Sequence, residues 1–229
     1  MIKHFLSLEW KQFSRASYFQ KGIAIKILLF FGAIYFGGAA IFLGIGVFFI
    51  LKKAVPDVDP IIMFNNFLIY WFLFDLALRF FMQQLPVMNI KPLMTIPIKR
   101  NTVIHYLLGK TALSFFNFLP LFIFLPFSIV LLVHGYPVLN VLTWLISVMV
   151  LTLSINFINF LINKNNTFFY IILGVLAVFI GLEIYQVFKI SEPLGVAFNA
   201  LYNQPYLVVI PVLLMYALYR KNFSDIKHG

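Results

Sequence analysis

Long apolar runs alternate with short polar breaks along almost the whole chain. Residues 23–51, 61–83, 103–133, 138–162, 167–188 and 204–219 form six such runs. Most are near or beyond the ~20 residues that an α-helix needs to cross a bilayer. The pattern predicts an all-α fold, a polytopic membrane bundle of about six transmembrane helices. Ahead of the first run, residues 1–22 mix Phe5, Leu6, Leu8, Trp10 and Phe13 with Lys11, Arg15 and Lys21. Apolar and cationic positions interleaved in this way suit an amphipathic helix lying in the membrane interface. Residues 220–229 read as a polar tail.

Each run carries polar or small residues that qualify the picture. The first is rich in glycine, and Ala33–Gly37 and Ala40–Gly44 make small-xxx-small pairs. Such pairs let helix backbones approach closely where lipid supplies no hydrophobic drive. The second holds Asp75 and Arg79, four residues apart and so on one helical face. An i,i+4 ion pair makes both tolerable, with Arg79 near enough to the helix end to snorkel outward. The third, read as one helix, is roughly 45 Å long at 1.5 Å per residue. Its first turns, with His105 and Lys110, therefore extend past the hydrocarbon. Pro120 and Pro126 lie inside it, and each tends to kink the helix. In the fourth, Thr152, Asn156, Asn159 and Asn163 recur on one face. Amides in lipid must find partners, so this face serves either as interhelical glue or as the lining of a substrate path. Residues 190–219 are broken by proline and read either as a short final span or as a re-entrant hairpin.

Composition and charge settle which chemistry is excluded. The chain is 62% hydrophobic and 10% charged, against about 25% charged in soluble domains. The net charge of +10 therefore marks cytoplasmic loops rather than a nucleic-acid surface. With the N-terminus inside, thirteen basic residues fall on one side, and Lys52, Lys53 and Lys189 on the other. Both termini are thus expected in the cytoplasm. There is no cysteine, hence no disulfide, thiolate nucleophile or thiolate-bound metal. His4, His105, His134 and His228 are scattered, and no His or carboxylate partner stands at metal-ligand spacing. Gly109-Lys110-Thr111 resembles the end of a phosphate-binding loop, but the pattern needs a glycine where Ile104 stands. Neither a catalytic site nor a cofactor is expected.

The longest polar interruption, Gln84 to Ser114, carries Lys91, Lys99, Arg100 and Lys110 and no acidic residue. Within it Leu93, Met94, Ile96, Pro97 and Ile98 form an apolar knob directly ahead of Lys99 and Arg100. An apolar knob flanked by cations can seat in a cleft of a soluble partner, with the charges steering the approach. The other reading holds the loop against anionic head groups.

The order of these elements resembles the membrane subunits of type-2 ABC exporters. The phrase from Leu93 to Arg100 followed by Leu107-Leu-Gly-Lys110 is similar to a pattern common there. More closely, FLSLEWKQF, YWFLFDLALRFFMQQLPVMNIKPL, HYLLGK and NFLINKNN resemble a bacterial family of uncharacterised, permease-like membrane proteins. The resemblance implies a bacterial inner-membrane permease whose surface helix and Gln84–Ser114 segment dock a separate ATP-binding-cassette ATPase. Members of the closer family run to about twice this length, which implies a second membrane half or a homodimer partner. The competing expectation is a non-transporting scaffold or immunity-type protein whose basic loop binds lipid or a regulator.

Overall fold

The computed structural model describes residues 11, 23–83, 100–162, 166–185 and 191–228. Among these the chain is all-helical. Helix α1 (Ile23–Ala54) leads into α2 (Pro60–Met82), whose start is set by Asp59. The Asp59 side chain accepts from the Ile61 amide at 3.2 Å, and Pro60 occupies the first turn, where a missing N–H costs nothing. The chain resumes as α3 (Arg100–Ala112), the single turn α4 (Phe115–Phe118) and α5 (Leu121–Val133). A turn through Gly135, at φ +86°, then reverses direction. That left-handed backbone favours glycine. Helix α6 (Val138–Ile162), α7 (Asn166–Ile184) and α8 (Ser191–Asn203) come next. A 3₁₀ turn, Pro205–Val208, enters α9 (Val209–His228).

Five stretches among the described residues are long and apolar enough to cross a membrane: Phe30–Ala54, Pro60–Met82, Phe115–Val133, Val138–Ile162 and Pro205–Lys227. Helix α7 is a further apolar helix of 19 residues over the fifth expected span. Large side chains such as Phe36 and Phe42 point outward, at 74% and 77% exposure. Lipid is the natural cover for such a surface. This is the build of a polytopic helical membrane protein.

Two sequence expectations are corrected. The single long helix over 103–133 is instead three pieces, interrupted at Leu113–Ser114 and again at Leu119–Pro120. The final helix does not give way to a polar tail at residue 220. It continues to His228, because Asn222 and Ile226 are buried against α3 and α6. Between the two readings of residues 190–219, a separate helix α8 turns sharply into α9. At 13 residues, or roughly 20 Å, α8 is too short to cross a bilayer. Pro211 falls in the first turn of α9 and does not break it.

Packing divides into two apolar clusters. The larger gathers side chains from α1, α2, α5, α6 and α8, among them Phe48, Phe72, Phe127 and Trp144. Phe64 stacks on Phe127 with centroids 4.2 Å apart, and Trp144 packs on both rings. The smaller joins α3 and the last turns of α9 to the end of α6, through Ile104, Leu108, Phe157, Phe160 and Ile226. Helix α6 runs through both. Among the glycines of α1, Gly44 is the one pressed against another helix. A Cβ there would collide with the Ile123 carbonyl oxygen of α5, whereas Gly32, Gly37, Gly38 and Gly46 face open space.

Candidate functional site

The most distinctive feature of the bundle is a buried polar seam where α2 ends, α3 ends and α6 passes by. Its centre is Arg79, which has no exposed surface. The Arg79 Nε donates to Asp75 Oδ2 at 2.8 Å. Its Nη1 donates to Asn117 Oδ1 at 2.7 Å, and its Nη2 to the Phe116 carbonyl at 2.7 Å. Instead of snorkelling toward an interface, Arg79 turns inward onto the interruption between α3 and α5.

The backbone explains why. Proline lacks an N–H, so Pro120 cannot donate to the carbonyl four residues earlier, which is Phe116. An unsatisfied carbonyl inside a membrane protein is costly. Arg79 fills that vacancy. Asn117 adds donors at the end of α3, where the Thr111 carbonyl also accepts from the Ser114 amide at 3.1 Å. Its Nδ2 donates to the Thr111 carbonyl at 3.0 Å and to the Ala112 carbonyl at 2.8 Å. Both amide hydrogens of Asn117 are thereby used, while its oxygen takes the Arg79 guanidinium.

The seam continues toward α6. Asn156 Nδ2 donates to Thr111 Oγ1 at 3.2 Å, and Thr111 Oγ1 donates to the Leu108 carbonyl at 2.8 Å. Gln83, the residue directly after α2, donates its Nε2 to Asn156 Oδ1 at 2.8 Å. Asn159 Nδ2 donates to Gln83 Oε1 at 3.3 Å. Asn159 Oδ1 has no hydrogen-bond partner among the described residues. Asp75, Arg79, Asn117, Thr111, Asn156, Gln83 and Asn159 thus form one connected chain across four helices.

The residues singled out from the sequence divide accordingly. Asp75, Arg79, Asn156 and Asn159 belong to the seam. Thr152 is buried on the same helix, but its hydroxyl donates to the Val148 carbonyl of its own helix at 3.0 Å. Asn163 lies outside the described residues, as do Leu93, Met94, Ile96, Pro97, Ile98 and Lys99. Arg100 opens α3. It is exposed, and its Nη2 donates to the Ile226 carbonyl near the end of α9 at 3.2 Å. Sequence reasoning passed over Gln83, Thr111 and Asn117. The available signal was an isolated Asn in a phenylalanine-rich stretch three residues before a proline.

Three further polar groups join helices away from the seam. Asn65 bridges α2 to α6 and α8, donating to Asn199 Oδ1 at 2.6 Å and accepting from Trp144 Nε1 at 2.8 Å. Glu183 of α7 accepts from both Tyr70 and Ser191. At the α5–α6 turn, Tyr136 donates to Asp59 Oδ1 at 2.6 Å. Burial pushes this phenol above its ordinary range, and the hydrogen bond to the Asp59 carboxylate adds to the effect.

Chemically the seam offers amides, one hydroxyl and one ion pair. It can fix helix ends and satisfy backbone carbonyls, and it contains no nucleophile paired with a base. No group of three or more His, Cys, Asp or Glu side chains gathers among the described residues. No curated protein and no solved structure matches this sequence. A family model covers residues 9–229, and the chain therefore belongs to DUF5687, a family of unknown function.

Proposed function

We propose that this chain is the membrane subunit of an ABC-type exporter of the bacterial inner membrane, driven by a separate ATPase through residues 84–114. Both termini lie in the cytoplasm, and a second membrane half or a second copy completes the pathway. One observation carries most of the weight. The segment 84–99 is joined at one end to Gln83, which is locked to Asn156 and Asn159. At the other end it is joined to Arg100, which opens α3 and is bonded to the end of α9. A partner that pulled on such a segment would act on the ends of α2 and α3 together, and through them on α6. The apolar knob Leu93–Ile98 with its cations supports the same reading, because it matches the build of a docking element. The resemblance to type-2 exporter subunits supports it further.

The test is affinity capture of the full-length protein from its native membrane, with identification of bound chains. An ATP-binding-cassette ATPase should co-purify. Ile96→Asp or Ile98→Asp should abolish that capture while membrane insertion is unchanged. Capture of the ATPase at wild-type yield by both variants would refute docking through this knob. Recovery of anionic lipid but no ATPase would favour the scaffold reading.

A further inference from the structure

We infer that the interruption between α3 and α5 is a mechanical joint, latched by Arg79 and Asn117, about which α3 and the end of α9 move as one body. Four observations converge on it. First, α3 and α5 are consecutive helices, yet they belong to different apolar clusters. Helix α3 packs with α9 and the end of α6, whereas α5 packs with α1, α2 and the middle of α6. Second, beside this joint α2 meets α4 and α6, and α6 meets α3, through the polar seam, with hydrogen bonds of 2.7–3.3 Å, while α6 contributes to both clusters. Hydrogen bonds can be exchanged one for another, whereas an interdigitated apolar core resists sliding. Third, the backbone at the joint is already non-helical. Ser114 is extended, at φ −63° and ψ 143°, so rotation there breaks no continuous helical ladder. Fourth, at the interruption the Phe116 and Ala112 carbonyls accept from the Arg79 and Asn117 side chains, and the Thr111 carbonyl accepts from Asn117 as well as from the Ser114 amide. Side-chain donors can follow a moving carbonyl in a way that a helical N–H cannot. Helix α3 is in turn fastened to α9 by Arg100 on Ile226 and by His105 on Tyr219.

The inference rests on this geometry alone and does not depend on an ATPase. It is testable by pulsed electron spin resonance, because the chain has no cysteine to remove. One pair of spin labels spans the joint, at Asn101→Cys on α3 and Ile129→Cys on α5. A second pair sits within the proposed body, at Asn101→Cys and Arg220→Cys. All three positions are exposed and lie outside the seam. In the parent protein in lipid nanodiscs, the joint-spanning distance distribution should be at least twofold wider than the within-body one. Asn117→Leu, and the nearly isosteric Thr111→Val, should widen the first further or split it into two populations. Both should leave the second unchanged. A joint-spanning distribution as narrow as the within-body one in the parent overturns the inference, as does a parallel widening of both pairs in either variant.

Discussion

The two apolar clusters are built on different principles. The larger one is joined by interlocking rings, with Phe64, Phe124, Phe127 and Trp144 in mutual contact, and by the close approach of Gly44 to α5. The smaller is comparably apolar within, but beside it α2, α3, α4 and α6 are joined by the seam of Asp75, Arg79, Asn117, Thr111, Asn156 and Gln83. The first kind of contact depends on volume, so its tolerance is set by shape. The second depends on matching donors to acceptors, so removing one partner strands the rest. The two kinds of contact meet on α6, which contributes side chains to both clusters.

The sharpest way to break this contrast is to remove the seam's charge. Arg79→Leu strands the Asp75 carboxylate, Asn117 Oδ1 and the Phe116 carbonyl at once. It should cost about 3–5 kcal/mol, the usual penalty for orphaning one member of a buried pair. A large fall in the thermal unfolding midpoint of the detergent-solubilised protein would register it. The double variant Asp75→Leu/Arg79→Leu should recover part of that loss, since no charge is then left unpaired. Equal destabilisation by the single and the double variant would show that the pair is not the element that matters.

A steric change in the larger cluster comes next. Gly44→Leu drives a side chain into the Ile123 backbone and should cost about 1–3 kcal/mol in the same melt. Gly37→Leu, facing open space, should leave the midpoint unchanged. If the two behave alike, the contact of α1 with α5 is not a packed one.

The smallest effect sharpens the seam's boundary. Thr152→Val should shift stability by no more than ~0.5–1 kcal/mol. The Thr152 hydroxyl serves only its own helix, so its loss strands no group on a neighbour. A shift as large as that of Arg79→Leu would mean that the polar face of α6 acts as a single unit from Thr152 onward.

Much of the fold is legible in the sequence, because lipid imposes a length and a polarity on every crossing element. The apolar runs locate α1, α2, α5 and α6, and the i,i+4 spacing of Asp75 and Arg79 places the two on one face. The interruption at residues 113–120 is not legible, because two prolines lie in that run and only one coincides with it. Pro126 is absorbed inside α5, whereas the gap left by Pro120 is filled from another helix. Which proline breaks the helix is therefore decided by a side chain distant in the chain. The continuation of α9 was readable in principle. Leu218, Asn222 and Ile226 repeat every fourth residue on the buried side, and Lys221 pairs with Asp225 at 3.1 Å along its flank. The density of charge around them masks that period. Of the seam's partners on α3 and α4, Asn117 is marked only by its place among phenylalanines before Pro120, and Thr111 has no sequence signature, since a lone Thr acquires its role only when a neighbouring helix presents a matching group.

The bond from Arg79 to the Phe116 carbonyl has one more consequence. Pro120 deletes a donor from the main chain, and Arg79 returns one from a separate helix, so substitutions at the two positions should be energetically coupled. A lineage that lost the proline would regain an ordinary helical bond at residue 116, and its arginine would become a buried cation with one acceptor fewer. A lineage that lost the arginine would keep a carbonyl with nothing to hold it. Arg79 keeps Asp75 and Asn117 as partners in either case, so the coupling between these two distant positions amounts to one shared hydrogen bond.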